Sequence, residues 1–210
     1  MAALRLERLQ PHGLAPLHLR LEDGELVLVS GPSGSGKSLL LRAIADLDPH
    51  PGEAWVGGLA RASLPAQEWR RRVGLLPAES HWWAERVGDH FPDRLSPTSE
   101  WTGPTGAPDL LNALGFTGDA LEWTVARLST GERQRLALAR LLAHRPEVLL
   151  LDEATANLDE ANRTRVETLV TRYRIARQAA VLWVSHDPQQ RRRLGGRRLV
   201  IEAGRLEPER

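Results

Sequence analysis

At 210 residues, 41% hydrophobic and 26% charged, the chain has room for one large domain and the composition of an ordinary globular protein. A net charge of +1 argues against a general nucleic-acid surface, and the absence of cysteine excludes disulfides and thiolate metal sites. No apolar run approaches the roughly 18 residues that span a bilayer, and Arg5, Glu7 and Arg8 break any signal-peptide core, so a soluble, cytosolic protein is expected.

Leu4 to Leu9 (LRLERL) and Leu17 to Leu21 (LHLRL) alternate apolar and charged residues, as strands with one wet face do. Glu22-Asp23-Gly24 makes a turn, and Glu25 to Ser30 (ELVLVS) reads as a short buried strand. The next stretch, Gly31 to Ser38, is GPSGSGKS, with the spacing G-x-x-x-x-G-K-[ST] of a loop whose backbone N–H groups wrap nucleotide phosphates. Gly31, Gly34 and Gly36 let the backbone approach phosphate oxygens. Lys37 would reach the β- and γ-phosphates, and the Ser38 hydroxyl would ligate Mg²⁺. Leu39 to Leu47 reads as a helix presenting its N-terminus to the anion. The expected phosphate site is therefore Gly31, Pro32, Ser33, Gly34, Ser35, Gly36, Lys37, Ser38 and Leu39. Lys37 is also the only lysine in the chain, at a place that wants a compact ammonium rather than a planar guanidinium fork.

Trp55-Val56, before Gly57-Gly58, reads as another short strand, Leu64 to Arg72 as a helix, and Val73 to Leu76 as a strand ending at Pro77. Glu79 to Phe91 then mixes aromatic and charged residues. Ser96 to Pro108, rich in Pro, Gly, Ser and Thr, reads as a long loop, and Asp109 to Leu114 as one or two helical turns. Ser129-Thr130-Gly131-Glu132 is a capping box, S-x-x-E, which opens a helix running to Leu142. Arg145-Pro146 stops it. Glu147 to Leu151 is a continuous apolar run, as a buried parallel strand should be, with Asp152-Glu153 at its carboxyl end, where ligands bind in open α/β sheets. Val166, Leu169, Val170 and Tyr173 set one face of a helix over Glu160 to Arg177. Ala180 to Ser185 is a further buried strand with His186 after it, and Leu199 to Leu206 closes as a hairpin.

The chemistry follows from these positions. Asp152 stands where P-loop NTPases place the carboxylate that helps hold Mg²⁺. Glu153 beside it is suited to orienting or deprotonating a water. His186 is placed to contact a γ-phosphate, although such a histidine taken alone is more often structural. Ser129 and Gly131 open a helix N-terminus, which taken alone is a well-capped helix. The arginine clusters at 70–72, 191–193 and 197–198 read as solvated faces.

Together these pieces resemble the ATP-binding cassette (ABC) ATPase family over nearly the whole chain. GPSGSGKS resembles its Walker A, LSTGERQR (Leu128 to Arg135) its signature motif, VLLLDEATANLD (Val148 to Asp159) its Walker B and D-loop, and VSHD (Val184 to Asp187) its switch-histidine region. The resemblance implies an α/β fold: a P-loop NTPase core with a mostly parallel sheet, an N-terminal antiparallel β subdomain and an inserted helical lobe. One domain over 1–210 is expected, with 1–78 and 144–210 as core and 79–143 as lobe. A head-to-tail homodimer is implied, holding two ATP molecules with Mg²⁺. Each ATP would lie between Gly31 to Ser38 of one copy and Ser129 and Gly131 of the other, with Asp159 at the dimer contact. Lys37, Glu153 and His186 are then the catalytic set, with Glu153 as base and His186 as γ-phosphate sensor. Ser38 and Asp152 are the metal ligands.

Three positions depart from the family pattern. Ala78 stands where the Q-loop glutamine is expected, Thr130 replaces the first glycine of the signature, and Pro11 or His12 falls where an aromatic usually stacks on adenine. Glu79, next to Ala78, either offers a carboxylate towards Mg²⁺ or points to solvent. His81-Trp82-Trp83 follows the Q-loop position, where the family's membrane-spanning subunit docks. One tryptophan is expected in the lobe core and one at the surface, with Trp82 as the surface anchor.

The favoured reading is the ATPase subunit of a transporter whose permease is a separate chain, peripheral on the inner face of the membrane, with no nucleic acid involved. The alternatives are a soluble ABC ATPase acting on nucleic acid or the ribosome, and a module that dimerises on ATP without turnover. The complete set of Glu153 and His186 argues against the last.

Overall fold

The computed structural model describes residues 2–92 and 107–209, and its architecture follows from which strands bury one face and which bury both. Strands β1 (Ala2–Leu9) and β2 (Leu17–Glu22) pair antiparallel, with Leu6 opposite Leu19 and Arg5 opposite Arg20. The leucines are buried and the arginines wet, as alternation dictates. β4 (Glu53–Val56) and β5 (Leu59–Ala60) complete a sheet in the order β2-β1-β4-β5. The two-residue turn between them is Gly57-Gly58, both at positive φ (53° and 84°), the backbone that a tight right-twisted hairpin demands.

The second sheet has the order β10-β9-β3-β8-β7-β6. It comprises β3 (Leu26–Ser30), β6 (Val73–Leu76), β7 (Val148–Asp152), β8 (Ala180–Val184), β9 (Arg197–Glu202) and β10 (Arg205–Pro208). Every pairing is parallel except β10 on β9. All residues of β3, β7 and β8 are buried, because both faces are covered. Val27, Val29, Val148, Leu150, Leu182 and Val184 pack with the first sheet and with α1 (Lys37–Ile44). Leu26, Leu28, Leu149, Leu151, Val181 and Trp183 face the other way, onto α3 (Ala107–Ala113), α4 (Thr130–Ala143) and α5 (Glu160–Arg177). Helices α2 (Ala66–Arg72) and α6 (Pro188–Leu194) complete the fold. No helix among the described residues is long and apolar enough to cross a membrane.

The α/β class, the mostly parallel sheet and the antiparallel N-terminal sheet are as expected, and the differences are local. α1 starts at Lys37 rather than Leu39 and ends at Ile44, shortly before Asp46 takes a left-handed φ of 57°. The loop expected over 96–108 lies outside the described residues as far as 106, and Ala107 and Pro108 already belong to α3. Residues 79–91 hold no α-helix, only a 3₁₀ turn at Gly88–His90. The chain there is organised around a side chain. His90 Nε2 accepts from the backbone N–H groups of Trp83 and Ala84 (2.9 and 3.0 Å), which leaves Nδ1 to donate to the Arg86 carbonyl at 3.0 Å.

α2 is tied to the end of α1 by Trp69 and, at the surface, by Arg70, which donates to the Asp46 carbonyl at 2.7 Å. Trp69 is fully buried, and its Nε1 donates to the Ile44 carbonyl at 2.9 Å, satisfying an orphan acceptor at the helix end. Trp69→Ala is expected to lower unfolding free energy by about 3–5 kcal/mol through the cavity. Trp69→Phe, which refills most of the cavity but strands the Ile44 carbonyl, should cost about 1–3 kcal/mol. Urea denaturation midpoints check both, and a Phe variant as unstable as Ala would mean that the hydrogen bond, not the volume, holds the helices.

Candidate active site

The carboxyl ends of β3, β8 and β7 lie at one level, because Val29 is aligned with Val184 and Val184 with Asp152. The chain leaves β3 into Gly31–Ser38, β7 into Asp152-Glu153 and β8 into Ser185-His186, so three distant segments meet. Gly31 has a φ of 143°, and a Cβ there would lie 2.4 Å from the Ile201 carbonyl oxygen, so only glycine fits. Lys37 sits in the first turn of α1, buried, with Nζ donating to the carbonyls of Gly31 (2.9 Å) and Pro32 (2.7 Å). Burial lowers its pKa, and the charges of Glu153 and Asp152 oppose that shift. Ser33, Gly34, Gly36, Lys37, Ser38, Leu39, Glu153 and His186 line one cavity of about 230 Å³.

Glu153 leaves β7 in the left-handed region, φ 50°, uncommon for a residue with a side chain. Its N–H donates to the Val184 carbonyl at 3.1 Å, which ties the turn to β8. Its carboxylate Oε1 lies 3.0 Å from His186 Nε2. An acceptor carboxylate in that contact requires the proton on Nε2. Strained backbone held by neighbouring structure is a recurrent mark of functional positions.

The residues suit a bound Mg²⁺ and a phosphate chain. Ser38 contributes a hydroxyl beside Lys37, and Asp152 a carboxylate on a residue only 6% exposed, both hard oxygen donors. No cluster of three or more His, Cys, Asp or Glu able to hold a metal occurs among the described residues. A hydroxyl and one carboxylate would leave the remaining positions of such a cation to phosphate and water. Ser35 Oγ is buried without a hydrogen-bond partner among the described residues, an orphaned polar atom within the loop.

Ser129, Gly131 and Asp159 stand apart from this cavity and do not line it. Ser129 caps α4 with a complete capping box: Glu132 N donates to Ser129 Oγ (3.3 Å), and Ser129 N donates to Glu132 Oε2 (2.8 Å). The Ser129 N–H and the Ser129 hydroxyl (2.8 Å) both donate to Glu132 Oε2, which holds the Glu132 carboxyl below its usual range. A Cβ on Gly131 would meet Leu158 Cδ2 at 3.1 Å, so the opening of α4 packs onto the segment before α5. Asp159 caps α5, accepting from Asn162 N (2.8 Å) and Nδ2 (2.7 Å), which keeps its carboxyl ionised to low pH.

Ala78 and Glu79 are both exposed, and Glu79 does not line the phosphate cavity. The loop is held instead by Gln134 of α4, whose Nε2 donates to the Pro77 carbonyl (3.1 Å) and whose Oε1 accepts from Ser80 Oγ (3.0 Å). Sequence reading passes over Gln134 as one more letter of LSTGERQR; a polar residue on the buried face of a helix is the signal. The tryptophans are placed opposite to expectation. Trp83 is 73% exposed, whereas Trp82 is partly buried against the core that contains α4. Arg140 lies over both rings (4.7 and 4.9 Å) and donates to the His81 carbonyl, so it holds the pair against α4, while only Trp82 reaches the core. A groove of about 290 Å³ runs beside them, lined by Pro77, Trp83, His90, Phe91, Arg140 and His144 among others.

α6 was also unexpected from sequence, although Asp187-Pro188 is a helix-start signal: Asp187 caps the helix by accepting from Gln189 N at 2.8 Å, and Pro188 occupies its first turn.

Comparison with known proteins agrees with this geometry. A family model described as ABC transporter matches residues 14–156. The Fe(3+) ions import ATP-binding protein FbpC of Streptomyces avermitilis is 39% identical over 92% of this chain, and the chain spans 56% of that relative's length. The probable iron export ATP-binding protein FetA of Escherichia coli is 34% identical over 83% of this chain and 78% of its own. Among solved structures, the ATP-binding cassette MJ0796, in a dimeric post-hydrolysis state bound to ADP and Pi, superposes with a TM-score of 0.81. It is 23% identical and aligns over 99% of both chains, so it speaks for the fold. The chain belongs to the ABC transporter family, as one of its ATP-binding ATPase domains.

Proposed function

We propose that this chain hydrolyses ATP with Mg²⁺ in a head-to-tail pair of copies, and that turnover drives transport through a separate membrane-spanning subunit. The observation that carries the reading is the 3.0 Å contact between Glu153 and His186 in the cavity that also contains Lys37. Backbone N–H groups of Gly31, Ser33, Gly34, Ser35 and Gly36 receive the phosphates, Pro32, which has no N–H, shapes the loop between them, and Ser38 and Leu39 continue the site into α1. Lys37 places its ammonium against the β- and γ-phosphates. Glu153 orients and deprotonates the attacking water, held in one rotamer by His186, which then faces the γ-phosphate. Ser38 and Asp152 hold Mg²⁺, which when bound supplies positive charge to the β- and γ-oxygens.

Ser129 and Gly131, which stand outside their own chain's cavity, are assigned to the nucleotide of the second copy, with Asp159 at the contact between copies. Residues 79–143 are assigned as the lobe and 1–78 with 144–210 as the core. The two relatives are named for import and for export, so neither cargo nor direction is carried over. The membrane partner is assigned to the groove beside Trp83, and the working location to the cytoplasmic face of the membrane.

Glu153→Gln keeps the shape of the side chain but removes the basic carboxylate. Steady-state ATPase assays should show about a 10²- to 10⁴-fold loss, with nucleotide binding retained. Lys37→Arg should fail to bind nucleotide normally despite its charge, because the fork cannot enter between the Gly31 and Pro32 carbonyls. A Glu153→Gln protein with unchanged turnover would remove Glu153 from the role of base.

Trp83→Ala should leave melting temperature and basal ATPase unaltered, and should weaken capture of the membrane partner by about 2 kcal/mol or more, as loss of an interface anchor does. Trp82→Ala should instead lower the melting temperature by several degrees through its cavity. Equal effects of the two on stability would place both in the core.

A further inference from the structure

Outside the phosphate cavity the described residues include a closed network of buried polar side chains, and it sits directly behind Glu153 and His186. Gln190, on α6, is 2% exposed. Its Oε1 accepts from Ser185 Oγ at 2.5 Å, and its Nε2 donates to Thr155 Oγ1 at 2.7 Å and to Glu167 Oε1 at 2.9 Å. Both protons of the amide are used. Ser185 Oγ in turn accepts from the Asp187 backbone N–H at 3.2 Å, and the Ser185 carbonyl accepts from Arg191 at 3.0 Å. Glu167, on α5, is buried and is gripped bidentately by Arg193 (2.9 and 2.8 Å). Ser185 immediately precedes His186, and Thr155 follows Glu153 by two positions. Glu153, Thr155, Ser185, His186 and Gln190 border a common cavity of about 320 Å³.

Burying an amide, two hydroxyls and a carboxylate here is costly unless every one is satisfied, and apolar side chains would hold α6 in place at least as well. What directional bonds add over apolar packing is orientation. We propose that Gln190 is a positioning residue for ATP hydrolysis, bridging the segment that carries His186 to the turn that carries Glu153, so that both groups meet the γ-phosphate in one fixed relation. This rests on the hydrolytic role assigned above to Glu153 and His186. Gln190 acts through these two segments rather than on the reacting atoms; without its bridge the backbone bond from Glu153 to Val184 still joins them, but the side-chain ends are no longer fixed and the 3.0 Å contact between Glu153 and His186 is kept only part of the time.

The test is steady-state ATPase kinetics of the full chain, beside nucleotide affinity and melting temperature. Gln190→Met has similar length and volume and makes no such bonds. Its kcat should fall about 10- to 100-fold, as loss of alignment does, while KM and nucleotide affinity stay within about twofold of wild type. Thr155→Val breaks the bridge from the other side and should show the same split. Thr155→Ser, which keeps the hydroxyl, should recover most of the lost rate. The Gln190→Met/Thr155→Val double variant should be little worse than either single one, since both remove one bridge. Unchanged kcat in Gln190→Met overturns the proposal, as does a loss that appears in nucleotide affinity. If Gln190→Met does not fold, the Thr155→Val and Thr155→Ser pair decides alone: equal rates overturn it. Glu153→Gln and His186→Ala assayed alongside separate the two ideas. Normal turnover in both removes the hydrolytic reading, whereas impaired turnover in both with normal Gln190 variants removes only the positioning role.

Discussion

The constraint on which the site depends is the common level at which three parallel strands end. Parallel neighbours hydrogen-bond in a fixed slant, so aligning Val29 with Val184 and Val184 with Asp152 fixes where the next residues of all three segments emerge. Glu153 and His186, far apart in sequence, are then brought within 3.0 Å of each other, and the Lys37 loop opens onto both. A slip of one residue in either pairing would turn the apolar rows of β7 or β8 to the wrong faces and would also separate the pair. Register for packing and register for chemistry are thus one requirement.

Parallel strands in turn need both faces covered, and the molecule covers them with different material. One face has α1 and the antiparallel sheet; the other has α3, α4 and α5. The phosphate loop enters the first layer through α1, and the capped opening of α4 belongs to the second. A single sheet therefore relates two helix starts, and among the described residues the cavity lined by the phosphate loop does not reach Ser129 or Gly131. That separation motivates the proposal that Ser129 and Gly131 serve the nucleotide of a second copy.

Much of this was legible because the relevant information is local. Apolar runs with turn residues at their ends marked β3, β6, β7 and β8 almost to the residue, and the spacing of glycines before Lys37 and the capping box at Ser129 announced α1 and α4. What was not legible depends on distant contacts. The left-handed backbone of Glu153 is imposed by its bond to Val184, thirty-odd positions away by simple chain counting. Which of Trp82 and Trp83 faces water is decided by which ring reaches the core beside α4, since Arg140 and His90 touch both and the segment has no periodicity to assign sides. α6 has a readable start but only seven residues (PQQRRRL) and no apolar stripe. Its anchor is a buried glutamine, the reverse of the rule by which helices are usually recognised.

The basic residues show the same logic in composition. Of the 28 lysines and arginines, Lys37 alone is lysine. The arginines use what their planar fork provides. Arg42 grips Asp48 and Arg193 grips Glu167 with two parallel bonds each, Arg72 spans Glu68 and Glu147, and Arg140 stacks over two indoles. None of these tasks suits an ammonium, which is strongly hydrated and has no face to stack. At the phosphate loop the demands reverse: the cation must fit between two carbonyls of a tight loop and be accessible to an anion. A chain that uses arginine everywhere else has kept the other cation where size and shape, rather than charge, decide.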